Sequence, residues 1–159
     1  MKFKAYSQHV HITDPTWQHR SCGVVSLLIL MEALNPATSI TPDLLVKEGL
    51  ELGAYKEGVG WYHAGLARIA TAHGFTSTNK DWSTKTPKEA RELLRKELSE
   101  GPVIASIRTP KGGHLIVIEK IEGEDMVIHD CEEREDIRKT MPLETFYSTW
   151  TQRIVSVKN

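Results

Sequence analysis

The pattern of apolar positions predicts a central helix that begins at Cys22, with Ser21 as its N-cap. Apolar residues fill most positions from Val24 to Met31 and therefore cover nearly every face of this helix. A helix that is apolar nearly all round is buried, whereas a surface helix keeps one polar face. We expect this helix to cross the middle of the core.

Three further helices are predicted from start and stop signals. One follows Thr41 as N-cap and ends at Gly53, and a second has apolar residues at helical spacing and ends at Gly74. The third follows Thr86, whose hydroxyl and the Glu89 side chain are expected to form a capping box. Together with the central helix, they give the N-terminal part of the chain a helical character.

After residue 101 the pattern changes to short β-branched runs separated by turn sequences. Three strands, then a short helix and a last strand, are predicted at residues 102–107, 114–121, 126–130, 143–147 and 152–157. Helices followed by strands predict an α+β fold, in which an N-terminal helical half packs on a C-terminal antiparallel sheet. No repeat or linker is visible, so we expect a single domain over residues 1–159.

Composition and charge argue against several kinds of partner. The 159 residues include 20 basic and 21 acidic ones, so the chain lacks the basic field that binds phosphate backbones and no nucleic acid partner is expected. The longest apolar run is far shorter than the roughly 18 residues that span a bilayer, so no membrane partner is expected either. The N-terminus does not resemble a secretory signal, which predicts a cytoplasmic location.

Cys22 falls on the first turn of the predicted central helix. Free backbone N–H groups and the positive end of the helix dipole favour a thiolate at such a position. The only other cysteine is Cys131, and two cysteines make no disulfide framework in a reducing compartment. From residue type alone, Cys22 is either a nucleophile, which also needs a base within hydrogen-bond reach, or a small buried hydrophobe.

His114 is the candidate base, because it starts a predicted strand after two glycines that leave space in front of its imidazole. Asp130 ends the next strand, and in an antiparallel hairpin residue 114 would lie opposite a position near 130. The carboxylate could then accept a hydrogen bond from His114 and fix its tautomer. The alternative is a histidine at a strand start and an aspartate that caps a turn.

The remaining histidines do not predict a metal centre. His9 and His11 alternate along a predicted first strand, where they would share one face, but no third ligand accompanies them. His129 should point to the face of the sheet opposite to Asp130, so it should not compete with His114. We therefore expect neither a metal nor another cofactor.

Most of the chain resembles the C39-like cysteine peptidases, a family related to the papain-like superfamily and to the leader peptidase domains of bacteriocin exporters. The segments that carry the resemblance, in the family's order, are DPTWQHRSCGVVSLLILM, EGVGWYHAGLARIATAHG, GPVIASIRTPKGGHLIVIEKIEG, MVIHD and the tail MPLETFYSTWTQRIVSV. The resemblance implies a papain-like cysteine peptidase fold.

The resemblance also implies a role for each matching residue. Cys22 would be the nucleophile, His114 the base, and Asp130 the residue that orients the histidine. A glutamine upstream of the cysteine would help the cysteine N–H to bind the developing oxyanion. We assign this role to Gln18, four residues before Cys22, and keep Gln8, fourteen residues before it, as the alternative.

Glycine and aromatic residues near these positions are candidates for the substrate cleft. They are Trp17, Gly23, Trp61 and Gly113, although the two tryptophans suit a core position equally well. Cys131 stands where many relatives have proline after the aspartate, and its thiol is either inert or sensitive to oxidation.

These features predict a cysteine peptidase that hydrolyses a peptide or isopeptide bond in a peptide or protein substrate. With an amine acceptor, the same site would act as a transpeptidase. Three alternatives are a catalytically silent peptide-binding module of the same fold, a thiol redox sensor that uses Cys22 and Cys131, and a zinc-dependent hydrolase. The sequence does not predict the oligomeric state.

Overall fold

The computed structural model describes all 159 residues, which form seven helices and eight strands. The helices are α1 (Gln8–His11), α2 (Pro15–Gln18), α3 (Cys22–Leu34), α4 (Pro42–Glu51), α5 (His63–Ala72), α6 (Pro87–Glu100) and α7 (Leu143–Thr149). The strands are β1 (Tyr55–Lys56), β2 (Gly60–Trp61), β3 (Thr76–Asp81), β4 (Val103–Thr109), β5 (Gly112–Glu122), β6 (Asp125–His129), β7 (Arg138–Pro142) and β8 (Trp150–Lys158).

Six of the strands form one antiparallel sheet in the order β3-β8-β4-β5-β6-β7, and β1 pairs with β2 in a separate hairpin. Alternate side chains of the central strands enter two apolar clusters on opposite faces. Ile104 and Val117 pack in the cluster that contains α3, whereas Ala105 and Ile116 pack in the cluster that contains Leu94 of α6. The predicted α+β fold, with helices packed on an antiparallel sheet, is confirmed.

The central helix α3 begins at Cys22, as predicted, and every residue from Gly23 to Ala33 is buried. Its predicted N-cap does not act as one, because the Ser21 side chain makes no capping hydrogen bond. The Ser21 hydroxyl donates instead to the carbonyl oxygen of Trp17 at 2.5 Å. This bond ties the segment before the helix to α2, so the start of α3 is fixed by the preceding loop.

The N-cap threonines and the C-terminal glycines act at the predicted positions, but the capping box is only half formed, because the Glu89 side chain accepts no hydrogen bond from the Thr86 N–H. The Thr41 hydroxyl accepts a hydrogen bond from the N–H of Leu44, and Thr86 accepts one from the N–H of Glu89. Gly53 and Gly74 follow α4 and α5 with positive φ angles of 67° and 89°, which glycine adopts without strain.

Four strands were not predicted, namely the short pair β1 and β2 and two strands of the large sheet, and one predicted strand is wrong. The two strands, β3 and β7, lie at the two edges of the sheet, where exposed polar side chains conceal the strand pattern. Around His9 and His11 the chain forms the short helix α1 instead of a strand, because the Ser7 hydroxyl caps it by accepting the N–H of His9. The two histidines therefore do not alternate along a strand.

Candidate active site

Cys22 lies at the N-terminus of α3 and is only partly buried, whereas the residues after it are enclosed. The first N–H groups of a helix have no carbonyl partner within that helix, so they are available to a group outside it. The buried length of α3 holds the position of the thiol rigidly. The sulfur therefore faces the cleft beside free backbone donors.

The hydrogen bond predicted between His114 and Asp130 is present. Residue 114 lies near the start of β5, which pairs with the antiparallel strand β6, and Asp130 directly follows β6. The Nε2–H of His114 donates to Oδ1 of Asp130 at 2.7 Å, and the two side chains are only 11% and 15% exposed. Little water therefore competes for this bond.

Further contacts hold the Asp130 carboxylate in place. Its Oδ1 also accepts the backbone N–H of Glu132 at 3.0 Å, and Nζ of Lys139 lies 3.6 Å from Oδ2. The backbone N–H of Asp130 donates to the carbonyl oxygen of Ile137 at 2.8 Å. The turn that follows β6 therefore holds the carboxylate in place independently of its hydrogen bond with His114.

The charges of this group favour a protonated imidazole. Burial alone would lower the pKa of His114, but its hydrogen bond with Asp130 and the neighbouring Cys22 side chain raise that pKa to about 10. Burial opposes ionisation of Asp130 as well, yet the hydrogen bond and charge of His114 hold the pKa of Asp130 below its usual value. An imidazolium therefore lies between a carboxylate and a thiol.

His129 belongs to a different cluster, as expected. Its Nε2 lies 2.8 Å from Oε2 of Glu119, and its ring stacks on Phe3 with 4.4 Å between ring centroids. Burial lowers the pKa of His129, although Glu119 opposes this effect. No hydrogen bond or ion pair joins His129 to the Asp130 carboxylate, which bonds to His114.

Two adjoining cavities meet at Cys22 and His114. The first, here called the aromatic lobe, has a volume of about 340 Å³, and the second, the polar lobe, about 490 Å³. The aromatic lobe is lined by His19, Arg20, Cys22, Tyr55, Val59, Gly60, Trp61, His63, Ser106, Gly113, His114 and Leu115. The polar lobe is lined by Gln8, His19, Cys22, Thr109, Pro110, Lys111, Gly113, His114, Asp130 and Glu132. An extended chain laid across both lobes would pass the Cys22 sulfur.

The two candidate glutamines lie in different surroundings. Gln18 does not line either lobe, and its Nε2 donates to the carbonyl oxygen of Ile12 at 2.9 Å. Gln8 is only 1% exposed and lines the polar lobe beside Cys22, with its Nε2 donating to the carbonyl oxygen of Gln18 at 2.9 Å. The geometry therefore favours Gln8 over the residue assigned from sequence.

The four cleft candidates separate into two that line the cavities and two that support them. Trp61 and Gly113 line the aromatic lobe, and Gly113 lines the polar lobe as well. Gly23 is buried beneath Trp61, where an added Cβ would lie 2.9 Å from Cβ of Trp61. Trp17 packs on Tyr55 with 4.9 Å between ring centroids, and so stands behind the wall of the cleft.

His19 lines both lobes and was not predicted from the sequence. Its position just before Cys22 was the available signal, since residues that lead into a candidate nucleophile share its surface. Ser106 and His63 were also missed, because β4 and α5 bring them to the aromatic lobe only through tertiary packing.

Both cysteines are free thiols, and Cys131 is completely buried. Its sulfur lies 3.6 Å from the carbonyl oxygen of Cys22. No group of three or more His, Cys, Asp or Glu side chains is arranged to hold a metal ion. None of the helices has both the length and the apolar character needed to cross a bilayer.

Solved structures with the same fold include several peptidase domains. The peptidase domain of Streptococcus ComA, a bifunctional ABC transporter involved in quorum sensing, is 17% identical with a TM-score of 0.68, and the match covers 99% of this chain and 98% of that one. A double-glycine motif protease from an AMS/PCAT transporter, solved with its leader peptide, is 18% identical with a TM-score of 0.68, covering 99% of this chain and 91% of that one. A protein from Bacillus anthracis, described as a C39-like peptidase, is 18% identical with the same TM-score, covering 99% and 96%.

Sequence comparison points to the same family. A search of curated proteins found no match to this chain. The peptidase C39 family, in contrast, matches residues 15–159, a segment that includes Cys22, His114 and Asp130. Since the match spans most of the sequence, the chain belongs to the peptidase C39 family.

Proposed function

We propose that this chain is a cysteine peptidase that hydrolyses a peptide or isopeptide bond through an acyl-enzyme on Cys22. The observation that carries the proposal is the 2.7 Å hydrogen bond between His114 and Asp130, with the other imidazole nitrogen left for Cys22. A family member that has lost activity would not need to keep this buried, charged arrangement, because an ion pair away from water contributes little net stability.

In the first half of the reaction, the Cys22 thiolate attacks the carbonyl carbon of the scissile bond and forms a carbon–sulfur bond. The carbonyl electron pair moves to oxygen and gives a tetrahedral oxyanion. His114 then transfers the Nδ1 proton to the leaving amine, the carbon–nitrogen bond breaks, and a thioester remains on Cys22. Asp130 stabilises the imidazolium that this step consumes.

In the second half, water replaces the amine. The neutral His114 accepts a proton from water as its oxygen attacks the thioester, and the carbon–sulfur bond then breaks to release a carboxylic acid. Cys22 returns as a thiolate beside the imidazolium. If an amine enters instead of water, the same steps give transpeptidation.

We assign the oxyanion site to the backbone N–H of Cys22 and the Nε2 of Gln8. Gln8 keeps one Nε2–H after the other is donated to Gln18, and its side chain borders the polar lobe next to the nucleophile. Donors placed where negative charge develops stabilise the transition state more than the ground state. Gln18 is not assigned this role, because its amide is engaged with Ile12 away from both lobes.

The substrate is proposed to be a peptide or protein segment that lies across both lobes. The lobes are open to solvent on either side of Cys22 and together offer aromatic and polar walls, which suits an extended chain better than a compact metabolite. The relative solved with its leader peptide supports a peptide as the substrate class.

The chain is also proposed to form a single domain and to work in the cytoplasm. Residues 1–159 are proposed to act as one domain, since both apolar clusters share the central sheet. A cytoplasmic location is proposed because two free thiols, one of them a nucleophile, are best preserved in a reducing compartment.

The test is peptide hydrolysis with detection of the covalent intermediate. The chain would be incubated with a synthetic leader-type peptide that contains Gly-Gly and with a library of unrelated peptides, and then quenched in acid for intact mass. We expect a cleaved peptide and a thioester adduct on Cys22, both absent in Cys22→Ser. Unchanged peptides throughout, with no adduct, would instead support the silent binding module.

A further inference from the structure

Cys131 is a buried thiol that the proposed reaction does not use, although it lies directly behind the site. Its side chain is fully enclosed, and its sulfur lies 3.3 Å from Oε1 of Gln8. The carbonyl oxygen of Cys22 lies at 3.6 Å and the hydroxyl of Ser26 at 3.7 Å. One S–H group therefore lies between the residue proposed to bind the oxyanion and the turn that carries the nucleophile.

The amide of Gln8 is held from both of its ends. Its oxygen accepts from the Cys131 thiol, while its nitrogen donates to the carbonyl oxygen of Gln18 at 2.9 Å. If the amide were flipped, its oxygen would face the Gln18 carbonyl, and two acceptors would oppose each other. The backbone N–H of Gln8 also donates to the carbonyl oxygen of Cys131 at 2.9 Å, so side chain and main chain connect the same two residues.

We infer that Cys131 is a positioning residue, whose thiol donates to the Gln8 amide and aims the remaining Nε2–H of Gln8 at the oxyanion. This inference rests on the proposed function of Gln8. Cys131 directly follows Asp130 in the chain. One turn of the backbone thus orients both sides of the site: Asp130 orients the imidazole, and Cys131 orients the amide.

The Cys131 thiol has the properties of a hydrogen-bond donor and not those of a second nucleophile. Burial and the neighbouring Cys22 raise the pKa of Cys131 well above its usual value, so the group stays protonated at neutral pH. A neutral buried S–H has a proton to donate, and the Gln8 oxygen is nearer to the sulfur than the Cys22 carbonyl oxygen or the Ser26 hydroxyl.

The test compares Cys131→Ala, which removes the donor, with Cys131→Ser, which keeps a shorter donor in the same place. Ile118→Val, a buried substitution in β5 that faces the other apolar cluster, controls for a general loss of packing. Three quantities would be measured: kcat and KM on Gly-Gly-aminomethylcoumarin, the rate of Cys22 alkylation by iodoacetamide, and hydrogen exchange of the Gln8 side-chain amide by ¹⁵N NMR.

We expect Cys131→Ala to lower kcat about tenfold with little change in KM. The Nε2–H of Gln8 remains as an oxyanion donor, but its orientation is no longer fixed. Cys131→Ser should recover much of this loss, and Ile118→Val should show none of it. Alkylation should stay within about twofold of wild type in all variants, because this displacement at an alkyl carbon develops no carbonyl oxyanion. Exchange of the Gln8 amide should accelerate in Cys131→Ala alone.

Unaltered kcat and amide exchange in Cys131→Ala would overturn the inference, and so would an equal loss in Cys131→Ser. A parallel fall in the alkylation rate would show that the substitution disturbs Cys22 itself, which also contradicts a role through Gln8. If wild type does not cleave any peptide, the proposed function fails. The amide exchange would still report whether Cys131 holds Gln8.

Discussion

His114 donates its Nε2–H to Asp130 across 2.7 Å, and this bond decides which imidazole nitrogen faces Cys22. With Nε2 engaged, Nδ1 is the nitrogen left for the thiol, and the ring cannot rotate without breaking a buried hydrogen bond. The histidine can therefore pass a proton between Nδ1 and the substrate while Asp130 keeps its orientation. The proposed acid and base steps both depend on this one contact.

Two substitutions of Asp130 separate its role in orienting the His114 ring from the effect of its negative charge. In Asp130→Asn, the amide oxygen can still accept from His114, and papain-like enzymes with a Cys-His-Asn arrangement work in this way, so we expect kcat/KM to fall only about tenfold. Asp130→Ala removes the acceptor and should lower kcat/KM about a thousandfold. In both variants the pKa of His114 should fall from about 10, which an NMR titration would follow. Equal activity of the two variants would argue against an orienting role.

The two glutamines offer a matched pair for the oxyanion site. Gln8→Ala should lower kcat by about 10²- to 10³-fold, the usual cost of one missing donor to an oxyanion. Gln18→Ala should keep kcat close to wild type, because its amide bonds only to the Ile12 carbonyl. Steady-state kinetics on a peptide cleaved by wild type would decide. Loss of activity in Gln18→Ala alone would restore the assignment made from sequence.

Gly113 tests whether the two lobes hold the substrate. No atom lies within 4 Å of a Cβ added at Gly113, and the residue borders both lobes. We expect Gly113→Ala to fold with a stability within about 0.5 kcal/mol of wild type, but to raise KM because the methyl group enters the cleft. A KM equal to that of wild type, measured on the same peptide, would mean that the substrate does not pass this point.

A substitution at Gly23, unlike one at Gly113, should lower the stability of the fold. A Cβ at Gly23 would lie 2.9 Å from Cβ of Trp61 in a buried position, so Gly23→Ala should destabilise the fold by about 2 kcal/mol. Trp61→Ala in the same chain removes Cγ and Cδ1, which lie 3.0 and 3.1 Å from the added Cβ, and should relieve part of this cost. Urea denaturation of the single and double variants would measure the effect. Fully additive effects would show that the two residues do not oppose each other.

The histidine also makes the stability depend on pH. The pKa of His114 is about 10 in the folded chain against an ordinary value of 6.5, so the folded state binds its proton more tightly. This contribution is complete below pH 6.5 and is lost as the pH rises through about 10. The advantage of wild type over His114→Gln in free energy of unfolding should therefore shrink across that window, by at most about 1.4 kcal/mol per pH unit.

Urea denaturation at pH values of about 6, 8 and 10 would measure this difference, since titrations that do not involve His114 cancel between the two proteins. An advantage that stays constant, or that grows with pH, would contradict the raised pKa.

The triad candidates could be predicted from sequence because each depends on local order. Cys22 is set by the start of an apolar helix, and His114 and Asp130 are brought together by two neighbouring antiparallel strands. The helical and strand repeats of apolar residues in the sequence are enough to predict such positions. They do not reveal the irregularity of β5 between Ile118 and Lys120.

The residue proposed to bind the oxyanion, Gln8, could be named from sequence only as the alternative to Gln18. Gln8 reaches the site because α1 and α2 turn the chain back on itself, and because its N–H bonds to Cys131, 123 positions away. Gln18 is nearer than Gln8 to Cys22 along the sequence, but it lines neither lobe of the folded protein. Two wall residues of the aromatic lobe, His63 and Ser106, escaped prediction for a similar reason, since α5 and β4 bring them to the cavity only through tertiary packing.

The most direct test of the central claim is alkylation by iodoacetamide between pH 5 and 8, read by intact mass and peptide mapping on wild type and His114→Ala. A thiolate paired with the imidazolium predicts that Cys22 of wild type reacts rapidly even near pH 6, that buried Cys131 stays slow, and that His114→Ala abolishes the rapid reaction. Slow and equal reaction of both thiols in wild type, or a rapid Cys22 that does not depend on His114, would contradict the account.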